Sequence, residues 1–184
     1  MRHRTWIASA VAAVVSAYGL SAARGNDFLV HNASEISTAV GQSQPGDTIT
    51  MANGTWTDQH ITFSPSGTSA AGITLRAQTP GRVILNGTST LNITGDYLTA
   101  TGLQFNGGAL TGGNIVSISS SAAYSRFTNS AIVDYNPADI STDYNWVRVD
   151  GMFNRVDHNF FSGQNHSGRT VEVQPQVGLA THDR

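Results

Sequence analysis

Cysteine is absent from the 184 residues. Disulfide staples, thiolate zinc sites and cysteine nucleophiles are therefore excluded. Lysine is absent too, and all ten basic residues are arginine. The formal net charge of -2 leaves no basic footprint for nucleic acid. Charge is scarce at 12% of residues, too little for a coiled coil, a long charged helix or a disordered acidic tail. What the chain has instead is 19 glycines and abundant serine, threonine and asparagine. That composition favours short strands joined by tight turns, in a chain long enough to bury a core.

Residues 1–25 read as a secretory signal peptide. Arg2, His3 and Arg4 precede an uncharged apolar run from Trp6 to Leu20, and small residues follow at Ser21, Ala22, Ala23 and Gly25. The apolar run is shorter than the roughly 20 residues of a spanning helix. The expected location is the periplasm or the medium, with no membrane association after cleavage. Removing this leader leaves seven arginines against twelve acidic residues. A polyanionic ligand would then depend on a local arginine cluster or a bridging cation.

The mature segment, residues 26–184, reads as one domain of coils. Asn32 and Ser34 are cap candidates for a helix through Val40, with Ile36, Ala39 and Val40 on one face. Gln44-Pro45-Gly46-Asp47 ends it. Fourteen short runs then alternate apolar and polar residues, from Thr48–Met51 through Tyr97–Ala100, Ala131–Val133 and Trp146–Val149 to Thr170–Val173. The segments beginning at Tyr97, Ser125 and Trp146 resemble one another, which predicts a solenoid of roughly six coils of about 20–28 residues. A β-sandwich is the competing arrangement. The single helix at the start favours the solenoid, whose open end needs a cap. Nothing after Val173 looks like a second cap, so the coils are expected to continue beyond Arg184.

Several stretches resemble polysaccharide lyase family 6, which contains alginate lyases and chondroitinase B. They are Phe28–Ile36, Gln44–Ile49, Ala52–Trp56, Gly72–Ala77, Thr79–Ile84 and Asn154–Gly163. The resemblance is to the N-terminal half of the family. It implies an all-β, right-handed parallel β-helix with an N-terminal capping helix. It also implies β-elimination on a uronic-acid polysaccharide, alginate ahead of chondroitin or dermatan sulfate. In the family, Ca²⁺ held by Asn and Glu oxygens neutralises the uronate carboxylate, a Lys takes the adjacent proton and an Arg assists. Those positions follow a second His-Arg-Val/Ile-Asp-His-like segment, and this chain ends within one, at Thr181-His182-Asp183-Arg184. The calcium ligands are thus expected beyond residue 184. No catalytic or metal-binding residue is carried over, and the chain alone is expected to be inactive. The alternative is a non-catalytic sugar-binding or structural β-helix.

The expected substrate contacts are Gln164, Asn165, His166 and Arg169, in the loop after the Asn154–Gly163 coil. The resemblance places this loop beside the sugar groove, and these side chains can hydrogen-bond hydroxyls and carboxylates. Strand alternation puts Asp157 and Asn159 on one side with His158 opposite, Asn159 reading as a structural residue at a bend. Arg148 and Arg155 are expected to pair with Asp150 and Asp157. Asp134, Asp139, Asp143 and Asp150 read as turn acids rather than as a glycosidase pair.

Overall fold

The computed structural model describes residues 25–174. Residues 1–24 of the expected leader and the closing Thr181–Arg184 segment lie outside the described residues.

The chain opens with β1 (Asp27–Val30) and α1 (Ala33–Gln42), then winds through five coils of three strands each. The first coil is β2 (Thr48–Met51), β3 (Gly54–Thr57) and β4 (His60–Phe63). The second is β5 (Ile73–Ala77), β6 (Val83–Asn86) and β7 (Thr90–Ile93). The third is β8 (Leu98–Thr101), β9 (Leu103–Asn106) and β10 (Asn114–Ile118). The fourth is β11 (Arg126–Thr128), β12 (Ala131–Val133) and β13 (Asn145–Val149). The fifth is β14 (Arg155–Asp157), β15 (Phe160–Ser162) and β16 (Val171–Val173). Like strands stack in parallel into sheet A (β1-β2-β5-β8-β11-β14), sheet B (β3-β6-β9-β12-β15) and sheet C (β4-β7-β10-β13-β16). The described residues form a parallel β-helix, as expected, with five full coils among them; roughly six were anticipated for the whole of residues 26–184.

All fourteen expected strands form, with ends displaced by at most one residue. Two more were not read from the sequence. In β1 the alternation is blurred by Leu29, which stays 53% exposed on an edge strand. In β3 only Trp56 points inward, and Gly54 enters at φ 142. The helix begins where expected. Asn32 Oδ1 accepts from the Glu35 N–H at 2.9 Å, and Glu35 Oε2 accepts from the His31 N–H at 2.8 Å. This reciprocal pair satisfies donors that the helix itself leaves open. Ile36 and Ala39 are buried where α1 packs on β1, β2 and β4.

Columns of like-placed side chains fill the interior. Ile49, Leu75, Ala100 and Phe127 stack in sheet A, Trp56, Leu85, Phe105 and Ile132 in sheet B, and Phe63, Ile93, Ile118 and Val149 in sheet C. All are buried. No single coil could bury its inner face alone, so stacking and burial form together.

Two polar staples run through the corners. The Leu98 N–H donates to Ser125 Oγ at 3.0 Å, and the Ser125 N–H donates to Asn154 Oδ1 at 2.9 Å. Asn154 Nδ2 donates to the Ala122 and Asp150 carbonyls, both at 2.9 Å. At the next corner, the Leu103 N–H donates to Ser130 Oγ at 3.1 Å and the Ser130 N–H to Asn159 Oδ1 at 2.9 Å. Asn159 Nδ2 donates to the Phe127 carbonyl at 2.9 Å. These side chains satisfy backbone groups where the ladders are interrupted at the bends. Asn159 is therefore structural, as its place at a bend suggested.

The expected alternation across Asp157, His158 and Asn159 fails, for a local reason. His158 adopts φ 54, which turns the chain out of strand geometry. Asp157 faces outward, with its carboxylate engaged by Arg126 at 2.8 Å and by Arg155 at 2.6 Å. The Arg126 guanidinium beside it holds the Asp157 pKa well below the usual carboxylate range. Asn159 faces inward. The expected likeness of the Trp146 segment to those at Tyr97 and Ser125 also needs correction. The latter two pass from sheet A to sheet B, whereas Trp146 opens a sheet C strand; their true counterpart is Asn154–Gly163.

Candidate functional site on the outer face of sheet C

Sheet C presents a polar row. Thr62, Asn92, Ser117, Arg148 and Glu172 stand in register along it, while the flanking residues Ile61 and Phe63 and their counterparts through Val147 and Val149 are buried in the core; Val171 and Val173, on the last described rung, stay exposed. Ser117 Oγ donates to Asn92 Oδ1 at 2.9 Å. One position further back, His60 Nδ1 lies 3.1 Å from Thr90 Oγ1. At the other end Glu172 is a hub. It accepts from Asn145 Nδ2 at 2.7 Å and pairs with Arg169 at 3.3 Å and Arg148 at 3.6 Å. Arg148 also donates to Asp150 at 2.9 Å, the partner expected for it.

Long loops between sheets B and C rise along this face. The loop after β12 is pinned by three aromatic residues. Trp146 Nε1 donates to the Tyr135 carbonyl at 3.0 Å, and Tyr144 Oη donates to the same carbonyl at 2.6 Å. Tyr135 Oη reaches two coils back, to the carbonyls of Gly87 at 2.9 Å and Ser89 at 2.8 Å. Burial pushes the Tyr144 phenol up to about 12 and raises that of Tyr135 as well, so both remain donors at neutral pH.

The four expected contact residues sit on the neighbouring loop after β15 but do not converge. Gln164 Nε2 donates to the Gly168 carbonyl at 3.0 Å, and its Oε1 accepts from Thr170 Oγ1. The exposed Asn165 is fixed through its backbone N–H, which donates to Asn136 Oδ1 at 3.1 Å. His166 turns inward, with its ring 4.0 Å from that of Tyr144 and 6.5 Å from that of Trp146. Its Nδ1 accepts from the Gly168 N–H at 3.1 Å. Arg169 is 62% exposed beside Glu172. Asn165 and Arg169 thus face solvent, whereas Gln164 and His166 shape the loop. Glu172 belongs to the same face, and the buried Asn145 and Trp146 support it from beneath. Their pairing across coils left no local signal in the sequence.

His166 makes the loop sensitive to acid. Burial holds its pKa below the ordinary 6.5, opposed by the Thr142 backbone and the Asp143 carboxylate. The unfolded chain therefore takes up this proton first. The contribution of His166 to stability is expected to be full above about pH 6.5, to fall below it, and to level off once the pH passes the folded-state pKa. His166→Phe is expected to flatten the slope of urea-unfolding free energy between pH 7 and 5. An unchanged slope would refute this role.

Among the described residues no group of three or more His, Asp or Glu side chains could hold a metal ion. Asp139 accepts from the Ser141 N–H at 2.9 Å and Oγ at 2.7 Å, as a turn acid does. No helix among them is long and apolar enough to cross a membrane.

The described residues are thus a parallel β-helix whose long loops border one polar sheet face. The sequence profile of the family described as Chondroitinase B matches residues 30–179, and the chain belongs to that family. The PL6 family polysaccharide lyase Pedsa3628 from Pseudopedobacter saltans is 34% identical, with a TM-score of 0.78 over 85% of this chain and 35% of its own. The PL6 family alginate lyase AlyGC is also 34% identical, with a TM-score of 0.82 over 86% of this chain and 23% of its own. A mannuronic acid specific family 6 lyase from human gut microbiota shares the fold at 24% identity, with a TM-score of 0.77 over 86% of this chain and 39% of its own. The chain therefore spans about a third or less of the first two structures. Comparison with the curated proteins gives no match.

Proposed function

We propose that these coils serve an exported lyase that cleaves alginate by β-elimination, with the outer face of sheet C holding the polymer. The observation that carries this reading is the register row from Thr62 to Glu172, bordered by the loops that bear Asn165 and Arg169. Hydroxyl and amide groups on successive rungs repeat about every 4.8 Å, so a chain of sugars laid along the axis meets a donor or acceptor at each step. Arg148 and Arg169 supply the positive charge, sharing it between Asp150, Glu172 and an incoming carboxylate. The resemblance to an alginate lyase at 34% identity favours alginate over sulfated glycosaminoglycans.

Calcium is the ion that the family chemistry implies. The described residues do not fit a site for it, because Asp27, Asp150, Asp157 and Glu172 are each engaged by arginine. The lysine base implied by the resemblance is likewise missing from the 184 residues.

Affinity electrophoresis through gels containing alginate tests the proposal. The protein is expected to be retarded relative to a gel containing a neutral glucan, equally with and without EDTA. Arg148→Gln should weaken the retardation about tenfold, the worth of one charge-assisted hydrogen bond. No rise in the ultraviolet absorbance of unsaturated uronate is expected from this chain alone. Equal mobility in both gels would refute the proposal.

A further inference from the structure

The described residues contain six arginines, and five are paired with carboxylates: Arg76 with Asp27, Arg126 and Arg155 with Asp157, Arg148 with Asp150, and Arg169 with Glu172. Arg82 is the exception. Among the described residues it has no carboxylate within ion-pair distance. It lines a groove of about 530 Å³ with Asn53, Gly54, Thr55, Thr79 and Ile84. This groove lies on sheet B and the bends leading into it, away from the polar row of sheet C.

The groove is built from fixed parts. Asn53 and Thr79 grip each other across coils, Asn53 Nδ2 donating to Thr79 Oγ1 at 3.1 Å and the Thr79 N–H donating to Asn53 Oδ1 at 3.0 Å. The Gly54 N–H donates to the Arg82 carbonyl at 2.9 Å, which holds the two walls in register. A Cβ placed on Gly54 would meet nothing within 4 Å, so the groove is open at that point. The outer face of sheet B offers Arg82 no acidic neighbour. Its outward positions beside the groove are Thr55, Ile84 and Gln104, in register.

We propose that this groove is a second binding site for a carboxylated saccharide, with Arg82 as its anion contact. The chemistry selects that ligand class. One free guanidinium matches a single carboxylate in a planar, bidentate manner. The Thr55 hydroxyl can hydrogen-bond a sugar hydroxyl, and Ile84 supplies an aliphatic surface for the C–H face of a ring. The volume lies within the range of small-molecule sites and accommodates one or two sugar units. A phosphate dianion would call for more than one cation, and the groove has one. Held at two faces, the same polymer would gain avidity without any further contact.

The test is titration of the full chain with a mannuronate tetramer, with a neutral mannose tetramer as the control. Two classes of site are expected for the acidic tetramer and none for the neutral one. Arg82→Gln should abolish one class, and Arg148→Gln should weaken the other. Phenylglyoxal labelling of the unaltered protein, mapped by mass spectrometry, gives an independent readout should the variant not fold. Arg82 is expected to label fastest among the arginines of residues 25–174 and to be shielded by the acidic tetramer but not by inorganic phosphate. The proposal is overturned if Arg82→Gln leaves the titration unchanged, if the tetramer fails to shield Arg82, or if phosphate shields it equally. Loss of a site in Arg82→Gln with no effect of Arg148→Gln would keep this groove and refute the reading of sheet C.

Discussion

Asn154→Ala is expected to lower the unfolding free energy by about 3 kcal/mol or more. The side chain is buried and its amide is fully used: Oδ1 accepts from Ser125, and Nδ2 donates to Ala122 and Asp150. Alanine leaves one backbone N–H and two carbonyls without these partners, and each such buried group costs about 1–3 kcal/mol. The loss spreads along the staple, because Ser125 in turn satisfies Leu98 one coil earlier. Urea denaturation followed by circular dichroism measures the effect. Asn92→Ala is the control. It removes a side chain that accepts one hydrogen bond from Ser117 on a half-buried position, and should cost about 1 kcal/mol or less. Equal midpoints for the two variants would show that the staple does not stabilise the coils.

Trp146→Ala should be about as damaging, at about 3–5 kcal/mol for a buried large aromatic. Its consequences reach the surface, because the indole N–H holds the Tyr135 carbonyl and the ring borders both Phe161 and His166. Residues 134–144 should then exchange amide hydrogens much faster than in the unaltered protein, and retardation by alginate should fall in parallel. Trp146→Phe keeps a ring but loses the hydrogen bond, for a cost of about 1 kcal/mol. Faster exchange in both variants, larger for alanine, is the expected pattern. Unchanged exchange over residues 134–144 would show that the loop is held by Tyr135 and Tyr144 without the indole.

The architecture was legible because a β-helix writes itself locally. Each rung alternates inward apolar and outward polar residues, as in Ile61-Thr62-Phe63 and Leu91-Asn92-Ile93, and each bend carries Gly, Asn, Asp or Ser. The cap of α1 was equally local, Asn32 and Glu35 lying within one turn. The phase of a segment around the coil was not legible. An alternating strand looks alike in all three sheets, and so Trp146–Asn154 could be matched to segments that occupy another side. His158 shows a second limit: one residue at positive φ turns the corner and breaks the alternation between Asp157 and Asn159.

The site was legible only in part, for the same reason. Arg148–Asp150 and Arg155–Asp157 were foreseeable because both pairs are two residues apart on one strand face. The Glu172 hub was not, since Asn145 and Arg148 reach it from the preceding coil. His166 could be named as a loop residue, but its stacking on Tyr144 depends on how two loops of unequal length come together.

By itself, the sequence determined that this protein coils into stacked parallel rungs with a capped beginning, because strand alternation, bends and helix caps are interactions among near neighbours. Only the tertiary structure decided which polar side chains share a face, which arginine is left without a carboxylate, and which asparagines become staples. Those outcomes depend on pairings between residues some 20–30 positions apart, and the number of residues in each intervening loop sets them.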